Sequence, residues 1–110
     1  METQTATVCA QLRPPDLTSR RTFIVQVNGH YTRAEPFRST SGLDSDVVLM
    51  SFQDGPRHTW VIVFTQSSEG DYRPLPRIIK LTHSDLAALY GSARLARIQR
   101  IIAAARQAGG

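Results

Sequence analysis

His58-Thr-Trp-Val-Ile-Val-Phe-Thr65, Gln66-Ser-Ser-Glu-Gly70, Asp71-Tyr-Arg-Pro-Leu-Pro-Arg-Ile-Ile-Lys-Leu81 and Thr82-His-Ser-Asp-Leu-Ala-Ala-Leu-Tyr90 follow one another without interruption. The first piece is a run of β-branched and aromatic residues and reads as a strand, and the second has the Ser/Gly composition of a turn. The third predicts a further strand at Arg77 to Leu81. Pro74 and Pro76 lead into it and suit an edge or crossing ribbon better than an interior ladder, because proline cannot donate a ladder bond. Thr82 has the chemistry of a helix N-cap: Asp85 lies three residues on, and Leu81 and Leu86 occupy the staple positions. Strand, turn, strand and capped helix in succession place the chain in the α+β class.

Working upstream, Asp46 to Gln53 pairs with His58 to Thr65 as a hairpin across Asp54-Gly55-Pro56-Arg57. With four residues in the connection, Val47, Leu49, Trp60, Ile62 and Phe64 share one face, and Val48, Met50, Phe52, Val61 and Val63 share the other. Both faces are apolar, so each needs a cover, and a single C-terminal helix supplies only one. That shortage predicts a homodimer. Between Arg21 and Phe37, Asn28-Gly29 is the preferred pair for a two-residue type I′ turn. The turn sets Val27 against His30, Val25 against Thr32 and Phe23 against Ala34, and it leaves Ile24, Gln26, Tyr31, Arg33 and Glu35 on the opposite face. Arg38 to Ser45 has the composition of a mobile loop. Residues 1–20 read as an edge strand or loose arm that breaks at Pro14-Pro15.

Downstream, Leu86, Leu89 and Tyr90 recur at helical spacing, Gly91 ends or kinks the helix, and Ser92 is placed to cap its continuation. Leu95, Ile98, Ile102 and Ala105 then form an apolar stripe with Arg97 and Arg100 turned away, and residues 106–110 form a fraying tail that ends in Gly109-Gly110. The expected architecture is an antiparallel meander of five to six strands followed by a C-terminal helix kinked near Gly91. A chain of 110 residues has room for one such domain.

Charge is unevenly placed. The net charge is +4, and from Gly70 onward Asp71 and Asp85 face seven bases: Arg73, Arg77, Lys80, Arg94, Arg97, Arg100 and Arg106. Lys80 is the only lysine, and the planar guanidinium of the others suits phosphate pairing and base stacking. A basic patch is the footprint of a polyanion binder, against the plainer alternative of a solvated basic surface. Tyr31, Arg33, Phe52, Arg57, Arg73, Arg77 and Lys80 lie on strands or at their turns, a combination with which single-strand binders stack bases while neutralising the backbone. Aromatic residues on strands also serve as core, and Phe52 is open to that reading.

Other chemistries find little support. Cys9 is the only cysteine, so no internal disulfide or cysteine-based metal site forms, and an intracellular setting is expected. His30, His58 and His83 share no metal-binding spacing, and no cofactor is expected. There is no nucleophile elbow and no Gly-rich phosphate loop, so an enzyme is not expected. The longest apolar run, Trp60 to Phe64, is too short to span a bilayer.

Glu69-Gly-Asp-Tyr-Arg-Pro-Leu-Pro-Arg-Ile-Ile-Lys-Leu-Thr-His-Ser-Asp-Leu86 resembles, without gaps, the segment that closes the sheet and starts the helix in the positive cofactor four type of transcriptional coactivators. Phe52 followed by Gly55 is similar to that family's Phe-x-Gly turn with one residue added. About half the chain takes part. The resemblance implies a curved antiparallel sheet followed by a helix, dimerisation, and binding of single-stranded or melted DNA, with Arg73 and Arg77 on the basic ribbon and Phe52 as the stacking aromatic. The chain departs from the pattern at Ile78, where the family has Gly, at Thr65, where it has an aromatic, and at Leu86, where it has Trp. The N-terminal hairpin has no counterpart, which would make the chain a divergent member, of phage or plasmid type. The expected function is non-enzymatic binding of single-stranded DNA or RNA in transcription or replication control. The alternative is a small coat, assembly or inhibitor protein that binds a protein partner through its apolar sheet and helix.

Overall fold

The computed structural model describes residues 2–10, 22–36, 47–56 and 58–107. The loop expected at Arg38 to Ser45, residues 11–20 of the N-terminal arm, Arg57 and the last three residues of the tail lie outside the described residues. In chain order the elements are β1 (Glu2–Thr5), β2 (Val8–Cys9), β3 (Phe23–Val27), β4 (His30–Pro36), β5 (Val47–Gln53), β6 (Thr59–Gln66), β7 (Tyr72–Leu81), α1 (His83–Ala88) and α2 (Arg94–Arg106). The strands form one antiparallel sheet in the order β1-β7-β6-β5-β4-β3-β2, curled into a half-barrel with the two helices at the C-terminal end of the chain. The expected meander followed by C-terminal helix is what the chain adopts. The strand count rises to seven because the N-terminal segment contributes two short strands.

Asn28 and Gly29 carry φ values of 51° and 83°, as a type I′ turn requires, and β3 and β4 pair in the register expected of it. Asn28 has a second task. Its side-chain oxygen accepts a hydrogen bond from the Thr7 amide at 2.8 Å, and its own amide donates to the Thr7 carbonyl at 2.8 Å. The N-terminal segment is thereby fixed to both ends of the meander. β1 pairs with β7 from Glu2–Lys80 to Thr5–Arg77, whereas β2 pairs with β3 at Val8–Val27 and Cys9–Gln26. Between the two strands, the Ala6 amide donates to the Pro76 carbonyl at 2.9 Å and the Ala6 side chain enters the core.

The β5–β6 hairpin corrects the face assignment. Gln53 pairs with Thr59, so the connection runs over 54–58, five residues rather than four, closed by the Asp54 amide donating to the His58 carbonyl at 2.9 Å. Gly55 takes a φ of 76° within it. One residue more in the connection turns every side chain of β6 to the other face relative to β5. Phe52, Trp60, Met50, Ile62, Val48 and Phe64 therefore all line the inner face, and Val47, Leu49, Val61 and Val63 line the outer one. The larger side chains fill the curl together with Ala6, Val25, Ala34, Tyr72 and Ile78. The smaller set, three valines and Leu49, lies under the helices, packed on Leu89, Ile98, Ile101, Ile102 and Ala105. Each apolar face is thus covered within one chain, which removes the reason the sequence offers for a second copy.

Proline shapes β7. Between the Ile62–Ile78 and Phe64–Pro74 pairs, β7 carries Leu75, Pro76 and Arg77 against the single Val63 of β6. This bulge takes Pro76 out of the ladder while leaving its carbonyl for Ala6.

Thr82 caps α1 as expected: its hydroxyl accepts from the Asp85 amide at 3.1 Å, and the Asp85 carboxylate accepts from the Thr82 amide at 3.0 Å. The expected kink is a full break over residues 89–93, and Ala93 rather than Ser92 occupies the N-cap position of α2. Arg97 reaches back across the break to Asp85 at 3.7 Å. On α2 the buried stripe is Ile98, Ile101, Ile102 and Ala105. Leu95, expected in the stripe, is exposed.

Candidate nucleic-acid interface

The seven residues singled out in the sequence do not converge on one surface. Phe52 is 7% exposed, paired with Ala34 on one side and Trp60 on the other, and belongs to the core. Its role as a stacking aromatic is corrected: the five-residue connection turns its ring into the curl of the sheet. Lys80 pairs with Trp60 and so shares the inner face. Its Nζ sits 6.0 Å from the centre of the Trp60 ring and 3.6 Å from the Glu2 carboxylate. Arg57 lies outside the described residues.

Arg73 and Arg77 occupy the outer side of β7, Arg73 ahead of the bulge opposite Thr65 and Arg77 the last residue within it. Arg73 is engaged by its own turn, its Nε donating to Asp71 at 3.0 Å and one terminal nitrogen to Glu69 at 3.2 Å. The Asp71 carboxylate holds the Arg73 guanidinium even more firmly protonated than usual, with a smaller contribution from Glu69. Asp71 itself is buried and also accepts from the Ser67 hydroxyl. The Ser67 amide donates to the Asp71 carbonyl at 2.7 Å, so the whole 67–71 connection is closed by its own groups. Two nearby carboxylates offset the charge that a phosphate would meet at Arg73. Arg77, half-buried opposite Thr5, enters no ion pair found among the described residues.

Tyr31 and Arg33 are held differently. They alternate with the buried Ala34 and half-buried Thr32 on β4, so both project from the outer face of the half-barrel. Tyr31 is 77% exposed, and Arg33 enters no ion pair among the described residues. The cross-strand partners on β3 are Gln26 opposite Tyr31 and Ile24, 63% exposed, opposite Arg33. The row continues to the exposed Cys9, opposite Gln26 on β2. Among the described residues no helix lies over this face, since α1 and α2 pack on the β5–β7 side of the sheet. An exposed phenol ring, an unpaired guanidinium about 7 Å further along the strand, an amide and an aliphatic side chain therefore share one open patch. Ile24 and Gln26 are visible in the sequence as sharing this face, but neither residue type announces a contact; only the absence of a cover makes them part of a surface.

Among the described residues no three His, Cys, Asp or Glu side chains gather as a metal site, and no helix is long and apolar enough to cross a membrane. Comparison of the chain with protein-family models, with curated proteins and with solved structures returns no match.

Proposed function

We propose that this chain is a non-enzymatic binder of single-stranded nucleic acid, and that it makes contact through the outer face of β3 and β4 rather than through the β7 ribbon. The observation that carries the reading is the exposed Tyr31 ring beside Arg33, a cation with no carboxylate partner among the described residues. A ring on a strand is a platform for any base, and a neighbouring guanidinium neutralises the backbone of the nucleotide stacked there. The net charge of +4 adds long-range attraction for the strand.

The test is anisotropy of a labelled oligo-dT and its RNA equivalent at two salt concentrations. Arg33→Ala is expected to weaken binding and reduce the salt slope by about 0.7, the contribution of one phosphate on a single strand. If neither oligonucleotide binds at low salt, or if both Tyr31→Ala and Arg33→Ala bind as the wild type does, the proposal fails. A protein partner is the second reading, favoured by the exposed Ile24, since Tyr and Arg beside an apolar side chain also compose protein-binding hot spots. A stoichiometric complex disrupted by Ile24→Glu, without oligonucleotide binding, is the outcome that supports it.

A further inference from the structure

We infer that Gln26 reads the base that stacks on Tyr31, giving the patch a preference for adenine; the inference rests on the nucleic-acid reading of the same face. Stacking by itself carries little sequence information, because every base presents a π-face. A preference needs a hydrogen-bonding group at the edge of the platform. The register supplies one. Gln26 lies directly across from Tyr31, at the about 5 Å Cβ separation of a cross-strand pair, and its side chain leaves the sheet on the same outer side. It is half-buried, and its amide makes no hydrogen bond among the described residues. The carboxamide thus has two donors and an acceptor uncommitted beside the ring.

The neighbours cannot take this role. Ile24 has no polar group, Arg33 is the cation that a phosphate would occupy, Glu35 is repelled by a polyanion, and the Cys9 thiol is a weak hydrogen-bonding group. Gln26 is the one neutral amide in the row formed with Tyr31, Ile24, Arg33 and Cys9. A glutamine amide matches the adjacent donor and acceptor of adenine, its N6 amino group and N7, with two bonds at once. In a single strand that edge is open to the protein.

The experiment compares two unlabelled 15-mers, one alternating adenine and cytosine and the other thymine and cytosine, as competitors for a labelled oligo-dT bound to the full chain. The wild type is expected to prefer the adenine strand by about fivefold or more, the lower end of what one bidentate contact discriminates. Gln26→Leu, of similar size without the amide, brings the two strands within about twofold while leaving the salt slope unchanged, because no phosphate contact is lost. Should Gln26→Leu fail to fold, Gln26→Asn withdraws the amide by one methylene and is expected to narrow the preference likewise. Equal binding of the two strands by the wild type, or a preference that survives in the folded variant, overturns the role of Gln26 and leaves the binding face standing. Failure of every oligonucleotide to bind removes both proposals.

Discussion

Phe52 and Tyr31 offer the most direct contrast, because the family resemblance makes Phe52 the stacking aromatic, whereas the tertiary structure buries Phe52 and leaves Tyr31 exposed. Phe52 is 7% exposed and sits between Ala34 and Trp60 on the inner face. An aromatic side chain buries roughly 150 Å² or more, and at about 25 cal/mol/Å² its removal forfeits about 4 kcal/mol. Large-to-small aromatic substitutions in cores cost a similar amount, about 3–5 kcal/mol once the cavity is included. Against a total stability of roughly 5–15 kcal/mol for a small domain, Phe52→Ala removes a large share. Tyr31→Ala, at a position 77% exposed, is expected to change stability by under about 0.5 kcal/mol. Its loss of about 1–3 kcal/mol is taken from oligonucleotide binding instead, a factor of about 5 to 150 in Kd. Urea unfolding followed by the fluorescence of Trp60, the single tryptophan and a member of the same core, reads the first effect, with circular dichroism as a check on the probe. Anisotropy reads the second. If Phe52→Ala is too unstable to measure, Phe52→Leu keeps most of the volume and is expected to cost under about 1.5 kcal/mol. A Phe52→Ala chain as stable as the wild type and unable to bind DNA would refute the placement of this ring and restore the β7-side reading.

Four further outcomes follow from local geometry. Thr82→Ala removes one half of the capping box, with an expected cost of about 1 kcal/mol and a Tm lower by roughly 4–8 °C. The Thr82 amide, together with its hydroxyl and Arg97, holds the Asp85 carboxyl below the ordinary carboxylate range, against partial burial that pushes it up. Its folded-state pKa lies below the unfolded value, so this stabilisation is complete above about pH 4 and disappears as the pH falls through the folded-state pKa; Asp85→Asn is expected to flatten the acid limb of a stability–pH curve. Arg73→Ala is expected to leave the salt slope of oligonucleotide binding within about 0.2 of the wild type, because its charge is already met by Asp71 and Glu69; a drop near 0.7 assigns Arg73 to the binding face. Deletion of residues 1–5 uncovers the edge of β7 from Arg77 to Lys80, and light scattering is expected to show self-association through that edge.

What local sequence dictates is reproduced closely. Asn28-Gly29 fixes the β3–β4 register because a two-residue turn leaves the strands no other alignment, and with it the outward face that carries Tyr31 and Arg33. Thr82 and Asp85 start α1 through bonds that span three residues. The β5–β6 hairpin is legible as a hairpin, but its faces depend on whether the connection holds four residues or five. No short-range rule counts that residue, and the answer comes from packing: the five-residue connection gathers Phe52, Trp60 and Phe64 inside the curl and leaves the smaller valines for the helices. The same cause moves Phe52 from a surface role to a core one.

The α+β class, the order of strands before helices, the β3–β4 hairpin and the capped helix start are legible in the residues alone, because each depends on residues within a turn or two of one another. The rest depends on long-range packing. It brought Glu2–Thr5 beside β7 and Val8–Cys9 beside β3, contacts separated by most of the chain in the first case. It covered both faces of the β5–β6 hairpin without a second copy, and it packed no described element on the outer side of β3 and β4. Exposure is a property of what packs where, and this is why Tyr31, Arg33, Ile24 and Gln26 become one surface only once the sheet has curled and the helices have settled over β6 and β7.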